Sequence, residues 1–139
     1  MWRAKRSPAV RQCGSTAVEF ALVLPVLVAV LFGAIDGGRL VVSQCMLNYA
    51  VIAGARLASV SSTTSFAPVQ TAVVAAAPLL NLSTSAVHYQ IGAGAADAGF
   101  ATLTTGNTIR VYSTYNYRPL VFSKLGARTL NASGQIVVQ

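Results

Sequence analysis

The chain has 139 residues, of which 54 % are hydrophobic and 9 % are charged, and its formal net charge at pH 7 is +7. This composition is too apolar for an ordinary soluble domain, and the length suits one small domain beside a membrane segment. Several of the basic residues precede residue 14, and the others are scattered along the chain without interleaved aromatic side chains. A nucleic-acid-binding surface needs a basic stripe, so the charge pattern argues against nucleic acid as a partner.

The N-terminal part of the chain is typical of a membrane anchor. Residues 1–14 are basic and polar, whereas residues 20–35 contain no charged side chain. As a helix, the segment from Ala17 to Ile35 is about 28 Å long, close to the ~30 Å hydrocarbon core of a lipid bilayer. Basic residues before the span predict a cytoplasmic N-terminus, which leaves the rest of the chain outside the cytoplasmic membrane.

Apolar residues continue at helical spacing beyond this span. They predict one helix from about residue 16 to residue 60, kinked near Pro25, where one backbone hydrogen bond is missing. The stripe predicted to face the core of the domain consists of Val42, Met46, Tyr49, Ala53, Leu57 and Val60. The side predicted to lie opposite carries Gln44, Asn48, Ala55 and Ser59.

The remainder of the chain changes to the periodicity of strands. A polar linker at residues 61–65 precedes a short predicted helix over residues 69–77, which Pro78 ends. Residues 92–99, rich in Gly and Ala, predict a mobile loop. Alternation of polar and apolar residues predicts three strands, with apolar sides formed by Val87, Tyr89 and Ile91, by Ile109, Val111, Tyr115 and Tyr117, and by Leu130, Ala132, Ile136 and Val138. The predicted fold class is α+β: a long N-terminal transmembrane and stalk helix packed on a small antiparallel sheet of about three strands, with one short helix.

Three explanations compete for the N-terminus. A secretory signal peptide cleaved near residue 33 requires a shorter apolar run, and the helical pattern passes straight through that region. A plain signal anchor accounts for the length of the run but gives no reason for Glu19 at its start. A cleaved leader accounts for both features. If Gly14 ends the leader, Ser15 becomes the N-terminus and Glu19 becomes the fifth mature residue, followed by Phe20.

This arrangement resembles the processing site of type IV prepilins, in which a Gly is followed after four residues by Glu and an aromatic residue. The stretch GSTAVEFALVLPVLVAVLFGAIDGGRL, which begins at Gly14, and the later stretch AVIAGARLAS are similar to the TadE-like family. Its members are the minor pilins or pseudopilins of Tad (tight adherence, Flp) pilus systems. The resemblance covers roughly residues 14–58 and includes Pro25, Asp36-Gly37-Gly38-Arg39 and Gly54-Ala55-Arg56.

The resemblance implies a role for each residue of the processing site. A prepilin peptidase cleaves between Gly14 and Ser15 on the cytoplasmic side, and it recognises Glu19 and Phe20. In the assembled pilus, Glu19 sets the axial register by pairing with the N-terminal ammonium of a neighbouring subunit. From the residues alone, Glu19 lies near the membrane interface, where a charge costs less than at the centre of a bilayer. An interfacial carboxylate without such a partner therefore stays an alternative.

Two further groups on the helix are candidate contacts. Gly33, Gly37 and Gly38 form a small-residue patch that permits close packing of helices. Asp36 and Arg39 are three residues apart and are predicted to pair at the extracytoplasmic membrane interface. Plain anchoring of Arg39 at the membrane surface is an equally open explanation.

No catalytic or metal centre is predicted. His88 is the only histidine, and it lies on the polar side of a predicted strand, while Asp97 lies in the Gly/Ala-rich loop. Neither a catalytic triad nor a set of metal ligands can be assembled from these positions. Cys13 and Cys45 do not form a disulfide framework. We therefore expect a protein that is not an enzyme and that needs no cofactor.

The sequence as a whole predicts three segments: a cytoplasmic leader at 1–14, a transmembrane and stalk helix at 15–60 and an extracytoplasmic α+β domain at 61–139. The expected function is that of a TadE-like minor pilin, used to assemble a Tad/Flp type IVb pilus for surface adhesion and biofilm formation. The expected partners are the prepilin peptidase, other pilins or pseudopilins, the inner-membrane assembly platform and the lipid bilayer. The alternatives are a membrane-anchored extracytoplasmic binding domain and a TadF-like partner subunit. The expected location is the cytoplasmic (inner) membrane, crossed once, with incorporation into the pilus.

Overall fold

The computed structural model describes residues 15–60, 65–121, 124 and 126–139. The predicted leader and most of the predicted linker lie outside the described residues. The described chain forms two compact units, and the division falls between Ile35 and Asp36. This division lies inside a helix, whereas the sequence predicted segment boundaries near residues 14 and 60.

The first element is the long helix that the sequence predicted. Helix α1 covers Ser15–Val60 and continues through Pro25. Whether Pro25 bends the helix stays a prediction. The first unit contains the part of α1 up to Ile35, and the second unit begins with Asp36 and contains the rest of the helix together with all later elements.

The second unit contains the predicted antiparallel sheet. Strands β1 (Val87–Ile91), β2 (Thr108–Tyr117) and β3 (Arg128–Val137) pair in the order β1-β2-β3. The α+β class and the three strands are therefore confirmed. Apolar residues recur at every second position of the strands, so they all lie on one face of the sheet, and this face is buried. Ile109 and Val111 of β2 are examples of such buried residues.

The short helix α2 covers Ala67–Ala76 and ends before Pro78, as predicted. Pro at its second position suits a helix start, because the first N–H groups of a helix have no partner within it. Three aromatic rings close this side of the core: the centroid of Phe66 lies 4.4 Å from Tyr89 and 5.4 Å from Phe100. The backbone N–H of Phe100 also donates to the hydroxyl of Tyr89 over 3.3 Å. These contacts join α2, β1 and the segment before β2.

The face of α1 that covers the sheet differs from the predicted one. Tyr49 and Val60, predicted to be in the core, are 68 % and 82 % exposed. The buried side instead carries mostly small residues and consists of Leu47, Ala50, Val51, Gly54, Ala55, Ala58 and Ser59. The prediction of the core stripe was therefore wrong, and Ala55 and Ser59 lie on the side it had assigned to the exterior.

The small-residue face of α1 packs inward because β3 and α2 approach the helix closely. A Cβ atom added at Gly134 of β3 would lie 3.3 Å from the Cα of Ile52 in α1, so the two backbones nearly touch. A Cβ added at Gly54 would lie only 2.3 Å from Cγ2 of Val73 in α2. Bulky side chains cannot enter such a gap, so the small-residue side packs inward and the larger residues stay outside.

The direction of the strands fixes which loop lies near which part of α1. The backbone carbonyl of Asn131, early in β3, accepts a hydrogen bond from Gln44, and Gly134, later in β3, packs on Ile52. Strand β3 therefore runs along α1 away from Asp36. The register pairs Tyr117 with Arg128, so the β2–β3 connection lies at the Asp36 end of the second unit. The β1–β2 connection lies at the opposite end.

Candidate membrane and assembly site

The start of α1 has the length and composition of a membrane span. Among the described residues, α1 is the one helix that is long and apolar enough to cross a membrane, and its most apolar 18-residue window has a mean hydropathy of 2.6 with none of the window buried. Side chains such as Phe20, Leu22 and Val30 are exposed on different sides of the helix. Because none of this window is buried by the described residues, its apolar surface is suited to contact with lipid or with other helices.

The predicted processing site lies at the beginning of this helix. Ser15 is the first residue of α1, and Glu19 and Phe20 follow about one turn later with exposed side chains. Gly14 lies outside the described residues. The carboxylate of Glu19 is therefore on the surface of the helix, next to an aromatic side chain. The cleavage and register roles of these residues stay predictions.

The predicted glycine patch lies on the exposed surface of α1. Gly33, Gly37 and Gly38 are all exposed, and a Cβ added at Gly37 or Gly38 would meet no atom within 4 Å. These glycines are therefore not required for packing within the described chain. Their use in contacts with another helix stays a prediction.

Asp36 differs from its neighbours because it is buried, with 7 % of its surface exposed. Its two carboxylate oxygens accept hydrogen bonds from the backbone N–H groups of Leu120 and Val121, each over 3.1 Å. Its backbone carbonyl accepts a hydrogen bond from the hydroxyl of Tyr117 over 2.9 Å. Asp36 thus holds the β2–β3 connection, a role that the sequence reasoning did not predict. The predicted pairing of Asp36 with the exposed Arg39 stays a prediction.

A second apolar face of α1 remains exposed within the second unit. It lies opposite the small-residue face that packs on the sheet and on α2. Its larger members are Val42, Tyr49, Ile52, Leu57 and Val60, all at least 39 % exposed. In this part of the chain α1 therefore has large apolar residues on the exposed side, beside Arg56, as well as small apolar residues on the side that the domain covers.

His88 and Asp97, which the sequence left apart, lie together. Nδ1 of His88 is 2.5 Å from a carboxylate oxygen of Asp97, and the two side chains are 38 % and 44 % exposed. The other carboxylate oxygen accepts the N–H of Tyr89, and the N–H of Asp97 donates to the carbonyl of Tyr89. The loop predicted to be mobile is thus fastened to the free edge of β1. Within residues 15–60, 65–121, 124 and 126–139, no three His, Cys, Asp or Glu side chains form a group that could hold a metal ion.

We expect Asp97→Gly to loosen this edge of the sheet. Asp97 has a φ of 56°, a conformation that glycine adopts without strain, so the substitution removes the side-chain contacts without straining the backbone. Without its acceptor, the amide of Tyr89 should exchange its hydrogen about tenfold faster, as measured by NMR on the full chain. His88→Gln is the matched control, because it removes the pair but keeps the Asp97–Tyr89 bond. Equal protection of Tyr89 in wild type and Asp97→Gly would contradict this account.

These features define a class of protein: a small α+β domain that continues from an N-terminal helix able to anchor in a membrane. Residues 14–56 match the family model TadE, described as TadE-like protein. The resemblance drawn from the sequence is thereby confirmed over this segment. No curated protein and no solved structure matches the chain. The family match indicates a protein associated with a Tad pilus, and this family is one of structural components rather than of enzymes.

The matched segment includes the candidate residues of the processing site. It begins at Gly14, contains Glu19, Phe20 and the glycine patch, and ends at Arg56 of α1. It therefore covers the apolar helix and stops before α2 and the sheet. The family match therefore covers the segment that contains the candidate membrane span.

Proposed function

We propose that this protein is a minor pilin, or pseudopilin, that a prepilin peptidase cleaves between Gly14 and Ser15. The processed chain, with Ser15 at its N-terminus, is then used in the assembly of a Tad/Flp type IVb pilus for surface adhesion and biofilm formation. Until assembly it is held in the cytoplasmic (inner) membrane by the first part of α1, with the α+β domain outside. Its partners are the peptidase, other pilins or pseudopilins and the inner-membrane assembly platform.

The exposed apolar face of α1 beyond the span supports this proposal most strongly. A membrane-anchored binding domain needs an apolar helix only as far as Ile35. Here Val42, Tyr49 and Val60 remain exposed over a further stretch of about four turns or more. An apolar helix face of this extent is typical of a surface that another protein covers. A helical assembly provides such a cover, because the helices of neighbouring subunits lie side by side.

Glu19 supplies the polar element of the proposed assembly. Cleavage after Gly14 creates an ammonium group on Ser15 at the helix start, about 6 Å of helix rise before Glu19. In a bundle, the ammonium of one subunit pairs with the carboxylate of its neighbour in a medium of low dielectric constant. A buried charge without a partner is costly, so the pair favours one axial register over others. The glycines at 33, 37 and 38 allow neighbouring helices to approach closely.

Substitutions at the processing site test this proposal. In cells with an active pilus system, Gly14→Leu should leave the leader attached, because the larger side chain blocks the peptidase, and the protein should be absent from sheared pili and their assembly complexes. Glu19→Gln should still reach the membrane but should be lost from the same fraction. Thr16→Ala is the matched control, since it changes the same helical turn and should behave as wild type.

The readouts are immunoblots of the membrane and pilus fractions together with the mass of the recovered protein. An anchored binding domain that never enters the assembly pathway would tolerate both substitutions. Normal processing and normal assembly of Gly14→Leu and Glu19→Gln would therefore reject the proposal.

A further inference from the structure

Asp36 connects the end of the apolar run to a distant loop. It follows Ile35 directly in α1, and the apolar run without charge ends at that residue. Its carboxylate holds the N–H groups of Leu120 and Val121. The backbone of these two residues is therefore bound to the residue that directly follows the uncharged apolar run. Tyr117, which donates to the carbonyl of Asp36, fixes the end of β2 at the same place.

The residues held by Asp36 present apolar side chains to the surroundings. Leu120 is 70 % exposed and Val121 is 39 % exposed, although their backbone N–H groups are bound. The backbone at Leu120 and Val121 is held in place, yet their apolar side chains face outward and do not pack into the core. Burial of these side chains requires a cover from outside the described chain.

Basic residues lie at the same end of the second unit as this exposed apolar pair. The chain from Asp36 onward has six basic residues, and the four at this end of the domain are Arg39, Arg118, Lys124 and Arg128, all exposed. Of the two acidic residues in the same part of the chain, Asp36 is buried and bonded to the loop, and Asp97 lies in the β1–β2 loop, where it bonds to Tyr89. The Asp36 end of the second unit therefore carries two exposed apolar side chains and four exposed basic residues.

We propose that the described part of the β2–β3 connection is a membrane-surface element: Leu120 and Val121 enter the interfacial layer of the extracytoplasmic leaflet, and the basic residues at the same end of the second unit contact anionic phospholipid headgroups. Apolar side chains flanked by Lys and Arg are the pattern with which peripheral segments bind anionic bilayers. The inference rests on anchoring of residues 17–35 in a membrane and is independent of the role in a pilus.

Tryptophan fluorescence of the reconstituted full chain tests this proposal. Trp2, the only tryptophan, is replaced by Phe, and single tryptophans are then introduced as Leu120→Trp, Val137→Trp or Leu27→Trp. The proteins are placed in vesicles of phosphatidylcholine, with or without phosphatidylglycerol, and quenched with brominated phosphatidylcholine. Val137, at the far end of β3, is exposed and is the control for position, whereas Leu27 reports insertion of the span itself.

We expect quenching of Leu120→Trp by brominated lipid to exceed that of Val137→Trp about twofold or more, with a further increase when phosphatidylglycerol is present. In the Leu120→Trp protein, Arg118→Gln with Lys124→Gln should abolish the increase. Arg56→Gln with Arg110→Gln, which changes charges elsewhere on the domain, should leave it intact.

Absence of quenching at residue 120, with strong quenching at residue 27 and an unchanged circular dichroism spectrum, would overturn the proposal and would favour a protein cover for the loop. Equal quenching at residues 120 and 137 would overturn it as well, because the contact would then not be specific to this loop. Absence of quenching at residue 27 would instead reject the membrane anchoring on which the inference rests.

Discussion

Asp36→Ala is expected to lower the free energy of unfolding of the second unit by about 3 kcal/mol, because hydrogen bonds to a charged group contribute about 1.5–3 kcal/mol each. The alanine leaves the N–H groups of Leu120 and Val121 without this acceptor, and the β2–β3 connection loses its attachment to α1. A loss of this size is a large fraction of the stability of a small domain. Urea unfolding of the full chain in mild detergent, followed by circular dichroism, measures it.

Two further variants distinguish the contacts that Asp36 makes. Asp36→Asn keeps a carbonyl oxygen that can accept one of the two N–H groups, so its loss should be smaller than that of Asp36→Ala. Arg39→Ala removes the neighbour predicted to pair with Asp36, and it should change stability by less than about 1 kcal/mol, because the Arg39 side chain is exposed to solvent. A loss for Arg39→Ala as large as that for Asp36→Ala would show that the ion pair, and not the loop, is the main partner. A loss for Asp36→Ala below about 0.5 kcal/mol would contradict this account.

Gly54→Ala is expected to destabilise the same unit by about 1–3 kcal/mol, the usual cost of adding atoms to a closely packed core. The new Cβ would lie 2.3 Å from Cγ2 of Val73 and 3.5 Å from Cγ1 of Val69, so α2 must move away from α1. Valine is stiff at χ1, which leaves little room for the side chain to rotate away. Thermal unfolding of the full chain in detergent measures the loss.

The same substitution elsewhere on α1 provides the control. Gly38→Ala places its Cβ in open space and should stabilise the helix by up to about 1 kcal/mol through backbone entropy and helix propensity. Val73→Ala combined with Gly54→Ala should recover part of the loss, because the clashing methyl groups are removed. Equal effects of Gly54→Ala and Gly38→Ala would contradict the close contact between α1 and α2.

Local sequence patterns were sufficient for most elements of the fold. The alternation of apolar residues in Val87–Ile91 and Thr108–Tyr117 predicts strands because one face of the sheet is buried at every second position. Pro78 marks the end of α2 because proline cannot continue a helix without loss of a hydrogen bond and a steric clash. The length of the uncharged run indicates the membrane span because the bilayer has a defined thickness.

The core-facing side of α1 could not be predicted in the same way. Hydrophobic periodicity selects the face with the largest apolar residues, and that rule holds for a helix with one apolar face. In this helix both faces are apolar, and Gly54 and Ala55 lie on the one that packs inward. The choice depends on how closely β3 and α2 approach, which Gly134 permits. A run of Ala and Gly opposite a run of larger apolar residues was the signal that could have indicated it.

Polar contacts between residues distant in the sequence also could not be predicted from the local spacing of residues. Asp36 was predicted to pair with Arg39 because residues three apart on a helix are neighbours. Its carboxylate binds the backbone of Leu120 and Val121, which are more than eighty positions away in the sequence. His88 and Asp97 are also in contact, but the residues between them form a glycine-rich loop. The conformation of this loop cannot be predicted from the local sequence. The pattern around Glu19, in contrast, depends on local spacing alone and is part of the segment that matches the TadE family.

The proposed role as a processed pilin subunit requires that the mature chain begin at Ser15. The proposed pair between Glu19 and the ammonium group of a neighbouring Ser15 forms only if cleavage creates that group. The exposed apolar face of α1 then packs on neighbouring subunits in the register that this pair sets. Both steps depend on removal of the residues that precede Ser15.

The most direct test is the intact mass and the N-terminal residue of the protein recovered from cells in which the pilus system and its peptidase are active. The account predicts a chain that begins at Ser15 and lacks residues 1–14. A chain that still begins at Met1 would contradict it, and a chain that begins near Ile35 would identify a secretory signal peptide instead.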